Sequence, residues 1–173
     1  MFKVIGLMGL VISAGILGIM KTLSLKERVS LLEEYLSLVL QIKSQISYFK
    51  EPLTTIFSRL NFDDTSCSKA SSLFKNVEIK LKSTDEDIRE IWEEEIDSAY
   101  GRSHLTEVDI KVLKLPGGYI GQTDFKNQQS QFSYTEDRLK EQIGEAKEDY
   151  RVKGKLYNRI GFFIGGIIAI ILI

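Results

Sequence analysis

Residues 24–53 read SLKERVSLLEEYLSLVLQIKSQISYFKEPL, and the spacing of their apolar side chains decides the fold. Leu32, Tyr35, Val39, Ile42, Ile46, Phe49 and Leu53 recur at alternating steps of three and four. That is a buried stripe in seven-residue repeat, carried on a helix of about 27 residues or about 40 Å. Leu31, Leu36, Leu38 and Leu40 widen the stripe beyond a two-stranded seam, which predicts burial in a helical bundle. Ser24 and Glu27 have capping-box spacing and predict the start of the helix there. Pro52 lacks an amide hydrogen and disfavours helix at Glu51, so the chain is expected to turn and restart with Pro52 in a first turn.

Outward from this stretch the chain changes character. Phe2 to Met20 carries only Lys3 as a charge, and Gly161 to Ile173 carries none. A helix needs about 20 apolar residues to cross a hydrocarbon core roughly 30 Å thick. The first segment has that length, and it lacks the small-x-small cleavage pattern of a secretory signal peptide. The second reaches about 27 Å once Leu156 to Ile160 are added, with Tyr157 at headgroup depth and Arg159 snorkelling outward. It therefore either spans or ends in the far leaflet as a re-entrant hook. The expected organisation is a transmembrane helix at 2–20, a helical-bundle domain at 21–155 and a transmembrane helix at 156–173.

Orientation follows from the cations. Lys21, Lys26 and Arg28 flank the first span, and Arg151, Lys153, Lys155 and Arg159 flank the second, which places the domain in the cytosol. The single cysteine, Cys67, suits a reducing compartment, and with His104 as the lone histidine no neighbouring histidine set exists to activate it. Small residues four apart, Ala14 with Gly18 and Gly161 with Gly165, have the spacing that lets membrane helices approach closely. A net charge of -1 argues against nucleic acid as a partner, and the basic flanks suit phospholipid headgroups.

The middle reads as one all-helical domain. Leu53, Ile56, Phe57 and Leu60 form one face of a short helix, and Asn61 to Ser68 is turn-like. Leu73, Phe74, Val77 and Leu81 form the face of a third helix. The segment Thr84 to Asp87 caps a fourth, with Ile88, Ile91, Trp92, Ile96 and Ala99 inward. Glu93, Glu94 and Glu95 point about 100° apart on a helix and read as a solvated face rather than a metal site. Thr106 and Asp109 open another short helix that ends at Leu115-Pro116-Gly117-Gly118. The corner Pro116, Gly117, Gly118, Tyr119 and Gly121 is a candidate contact loop, or simply a tight turn between helices. Beyond it Phe132, Leu139, Ile143, Ala146, Tyr150 and Tyr157 continue the pattern, so one helix can run from Asp124 into the second apolar segment. No phosphate-cradling or nucleophile motif appears, and no cofactor, metal, small-molecule substrate or enzymatic activity is expected.

Glu27-Arg28 with Leu32, Ile46-Ser47-Tyr48 before Pro52-Leu53, Leu113 with Gly117, Ile120-Gly121 to Asp124, and Leu156 with Ile160-Gly161-Phe162 and Gly165 occur in the order that marks one family. The chain resembles the stage III sporulation protein AB family of endospore-forming bacteria over nearly its whole length. Val29 and Pro116 depart from the pattern, at positions where a proline and an aromatic are expected. The resemblance implies a soluble domain similar to the cytoplasmic domain of type II secretion and type IV pilus platform proteins. It also implies a place in the mother-cell membrane around the forespore. The implied partners are the stage III sporulation protein AA ATPase, other membrane proteins of the same complex and the phospholipid membrane. The alternative is a membrane-anchored coiled-coil scaffold with no ATPase partner, since a helical bundle by itself implies no partner.

Overall fold

The computed structural model describes residues 2–49, 68–84, 86–120 and 125–172, with only some of the side chains toward the two ends. Among them every regular element is helical, as expected: α1 (Phe2–Phe49), α2 (Lys69–Ser83), α3 (Ile88–Tyr100), α4 (Glu107–Lys114), a 3-10 turn (Leu115–Gly118) and α5 (Phe125–Leu172). The expectations for Pro52 through Cys67 and for Gly121 to Asp124 lie outside the described residues.

The helix start expected at Ser24 does not occur. α1 is 48 residues long and runs through it. Ser24 Oγ instead donates to the carbonyl of Lys21, 2.8 Å away and one turn back. A serine caps a helix only where the first amides have no partners; here Lys21 to Leu23 continue the helix and supply the carbonyls those amides need. α5, also 48 residues, runs unbroken into the second apolar segment. Counted over the described residues alone, no helix is long and apolar enough to cross a membrane. The fold therefore does not establish the spans expected at 2–20 and 156–173.

The chain divides into two compact units, Ser30–Ile143 and Met1–Val29 with Gly144–Ile173. In the first, Leu32, Tyr35, Val39, Ile42 and Ile46 are all buried, as the repeat predicts. Leu31 and Leu38 join them, but Leu40 is exposed, so the stripe is narrower than expected on that flank. The same core holds Leu73, Phe74 and Val77 of α2, Ile91, Trp92, Ile96 and Tyr100 of α3, and Phe132 and Leu139 of α5. Edge-to-face pairs lock the aromatic members: Phe74 with Trp92 at 5.2 Å, Tyr119 with Phe132 at 5.1 Å and Tyr35 with Tyr100 at 6.2 Å between centroids. Each such pair adds roughly 0.5–1.5 kcal/mol beyond the apolar area it buries.

Helix starts in this unit follow the capping chemistry. Ser68 accepts from the amide of Ser71, Asp87 from that of Arg89, and Thr106 with Asp109 forms a reciprocal capping box. Glu95 departs from the solvated face expected of the acidic run. It is buried, and its carboxylate receives Asn76 Nδ2 at 3.0 Å and Lys80 Nζ at 2.8 Å from α2. Packing of α2 on α3 brings those donors to it, so burial costs it no unpaired charge.

On α5 the inner face alternates. Gln128, Thr135 and Gln142 are buried seven residues apart, with Phe132 and Leu139 between them. Lys43 of α1 reaches Glu136 at 2.6 Å along one side of this face. Polar layers in a seven-residue repeat favour one register at some cost in stability.

In the other unit α1 and α5 run antiparallel. Thr22 Oγ1 lies 3.1 Å from the carbonyl of Gly154, and Arg28 pairs with Asp149 at 3.4 Å, so advancing along α1 means retreating along α5. A Cβ on residue 154 would stand 3.3 Å from Thr22 Cγ2, tighter than ordinary contact. Glycine lets the two backbones approach.

Candidate functional site

The corner after α4 is built around a missing hydrogen bond. In a 3-10 turn the carbonyl of Leu113 would be met by the amide of residue 116, but Pro116 has no N–H. Two side chains replace it: Tyr35 Oη donates to that carbonyl at 2.7 Å and Trp92 Nε1 at 3.0 Å. Both bonds are buried, so the corner is tied to α1 and α3 at once. The indole then forms the floor under Gly117, where a Cβ would stand 2.9 Å from Trp92 Cβ and Cγ. Tyr119 closes the far side, its hydroxyl 2.9 Å from Thr135 Oγ1 of α5.

This geometry sorts the residues singled out from the sequence. Pro116, Gly117 and Tyr119 are buried and hold the corner together. Gly118 is exposed, with open space around it, and Gly121 lies outside the described residues. Of the small residues, Gly18 is buried and its carbonyl accepts from Thr22 Oγ1 at 3.0 Å. The packing of Ala14, Gly161 and Gly165 lies outside the described residues. Gly154, which the sequence reading passed over, is where the two helices close on each other.

The outer surface of the corner is a shallow notch of about 260 Å³ lined by Arg89, Glu93, Lys111, Lys114, Leu115 and Gly118. Arg89 spends its charge on Glu93 at 3.0 Å, and Lys114 on Asp97 at 2.7 Å. Lys111 is exposed and has no carboxylate partner among the described residues. The sequence reading missed these cations because they come from two helices and meet only in space. An acidic group would complement the exposed Lys111 there. Among the described residues no group of three His, Cys, Asp or Glu side chains could hold a metal ion.

Burial raises the pKa of Tyr35, whose ring is enclosed on every side, with lesser contributions from the neighbouring Tyr119 and Tyr100. Tyr100 and Tyr119 are pushed up for the same leading reason. All three phenols sit as neutral packing groups rather than as acids or bases. The carboxyl of Glu136 is held below the ordinary range, first by Lys140 and then by Lys43.

The family model for stage III sporulation protein AB matches residues 3–173, which takes in both units and the corner. This chain belongs to the stage III sporulation protein AB family. The resemblance read from the ordered residues is thus borne out, and the chain is a component of the sporulation machinery. A solved structure, "Stage III sporulation protein AB (SpoIIIAB)", shares 20% identity with a TM-score of 0.58, covering 72% of this chain and 96% of that one. At that identity the likeness speaks for the fold alone. No curated protein matches.

Proposed function

We propose that this family member is a structural platform in the channel-like secretion complex between mother cell and forespore. Residues 2–20 and 156–173 hold it in the mother-cell membrane, and the cytosolic helical unit docks the complex's ATPase, the stage III sporulation protein AA. The observation that carries the membrane half is exposed apolar surface. Ile16 and Leu17 on α1 and Leu156, Phe163 and Ile167 on α5 are each half or more exposed, Phe163 at 70%. Lipid would cover them.

The docking half rests on the corner. Its buried bonds hold the notch rigid, while Lys111 and Gly118 face outward, which is the arrangement of a pre-formed contact rather than of a reaction cavity. The protein acts through binding. The coiled-coil scaffold requires the α1 stripe to be free for another chain. That stripe is instead buried in the chain's own core, which favours the self-contained platform.

Purified full-length protein in nanodiscs should retain the purified ATPase in a pull-down, and Lys111→Glu should weaken that retention without changing the helical signal. No retention with both proteins folded would rule out docking. Reporter fusions placing the central unit outside the cell would rule out the orientation.

A further inference from the structure

The unit formed by the chain's two end segments contains a second notch, of about 290 Å³, between Thr22 of α1 and Tyr150, Arg151, Gly154 and Lys155 of α5. Its floor is the close approach of the helices, where Thr22 Oγ1 lies within 3.1 Å of the Gly154 carbonyl. The charge around it is one-sided. Glu27 is the first acidic residue of the chain and Asp149 the last, so no carboxylate lies in either segment that continues toward the apolar ends.

The structure shows where the available carboxylates go. Asp149 takes Arg28 and Lys153, and Glu148 takes the Arg151 guanidinium from the side away from the apolar segment. Lys155 and Lys21 are exposed and have no carboxylate partner among the described residues. Beside and beyond Lys155 and Lys21 stand exposed apolar side chains, Leu156 and Ile160 on α5 and Leu17 and Met20 on α1, with the exposed Arg159 among them. A concave site lined by Lys155, which has no carboxylate partner among the described residues, and bordered by exposed apolar side chains that continue toward the apolar ends matches a ligand with an anionic head and hydrocarbon tails.

We propose that this notch is a binding site for the phosphate headgroup of an anionic phospholipid. Lys155 and the guanidinium N–H groups of Arg151 that Glu148 does not take hold the phosphate oxygens, and the acyl chains lie along Leu156 and Ile160. The lipid is the chosen occupant because a free phosphate would leave the adjoining apolar surface uncovered. The inference rests on the membrane reading above, and adds a specific lipid contact to it.

The test uses the full-length protein reconstituted in phosphatidylcholine bilayers with a minor share of phosphatidylglycerol, followed by detergent extraction and mass spectrometry of the lipids that remain bound. Phosphatidylglycerol should be enriched over its bulk share by about fivefold for each contributing cation. Lys155→Gln with Arg151→Gln should return it to the bulk share, whereas Lys82→Gln, distant in sequence and on α2, should not. Circular dichroism confirms that the double variant keeps its helices. Enrichment that survives the double variant, or bound lipid that inorganic phosphate displaces freely, would overturn the site. A chain that carbonate washes off the membrane defeats the membrane reading itself; a chain that stays inserted with lipids at bulk proportions defeats the headgroup site alone.

Discussion

Gly117 lies against the indole of Trp92 so closely that no other residue fits: an added Cβ would stand 2.9 Å from two carbons of that side chain. Its neighbour Gly118 faces open space. Two adjacent glycines in one turn therefore answer to different constraints.

The first expected outcome follows from that contrast. Gly117→Ala should destabilise the protein by about 1–3 kcal/mol through overpacking, because the indole is itself held by its bond to Leu113 and cannot step aside. Gly118→Ala should stay within about 0.5 kcal/mol of the parent. Thermal melts of the two variants check this, and equal losses would mean that the indole is freer than its contacts imply.

The carbonyl of Leu113 gathers two donors, and removing one leaves the other. Tyr35→Phe should cost about 1 kcal/mol, the net worth of one buried hydrogen bond, with the ring and its packing retained. Combined with Trp92→Phe the loss should exceed the sum of the single losses, since only the double variant strips the carbonyl of both side-chain donors. A double-mutant cycle by urea unfolding measures the coupling.

Alkaline pH should unfold the core through its tyrosines. Tyr35, Tyr100 and Tyr119 all ionise above the ordinary tyrosine value of 10.0 in the folded state, chiefly because burial disfavours the phenolate. A raised folded pKa means a contribution that is complete below the unfolded value and is lost as pH rises through the folded one. Tyrosinate absorbance from these three should therefore appear together with loss of helical signal. Ionisation of these three phenols with the helices intact would contradict the burial argument.

At the acid end the sign reverses at Glu136. Lys140, and then Lys43, hold its carboxyl below the ordinary 4.5, so its contribution is complete above that value and is lost as pH falls through the folded pKa. Glu136→Gln should melt lower than the parent at neutral pH, and the gap should close as the pH drops below about 4.5. A gap that stays constant into acid would assign the effect to packing.

Much of the fold was legible because burial and periodicity are local. The step of three and four from Leu32 to Ile46 marked a buried stripe, and each of those side chains is in the core. The starts at Asp87 and Thr106 were legible because capping uses residues within one turn of each other. Ser24 misled for the same reason: its pattern is a cap only if the helix begins there, and nothing within one turn of it shows that the helix already runs through.

The amino-acid order by itself determined an all-helical chain with apolar ends, a proline-glycine corner after a short capped helix, and membership of its family. Tertiary structure alone decided that Pro116, Gly117 and Tyr119 are buried and Lys111 is not, that Glu95 is an internal ion-pair partner, and that the helices close at Thr22 and Gly154. The physical reason is distance along the chain. Tyr35 and Leu113, or Thr22 and Gly154, meet through hydrogen bonds a few ångströms long across dozens of residues, and no repeat within one helix encodes which face of a distant helix will supply the partner.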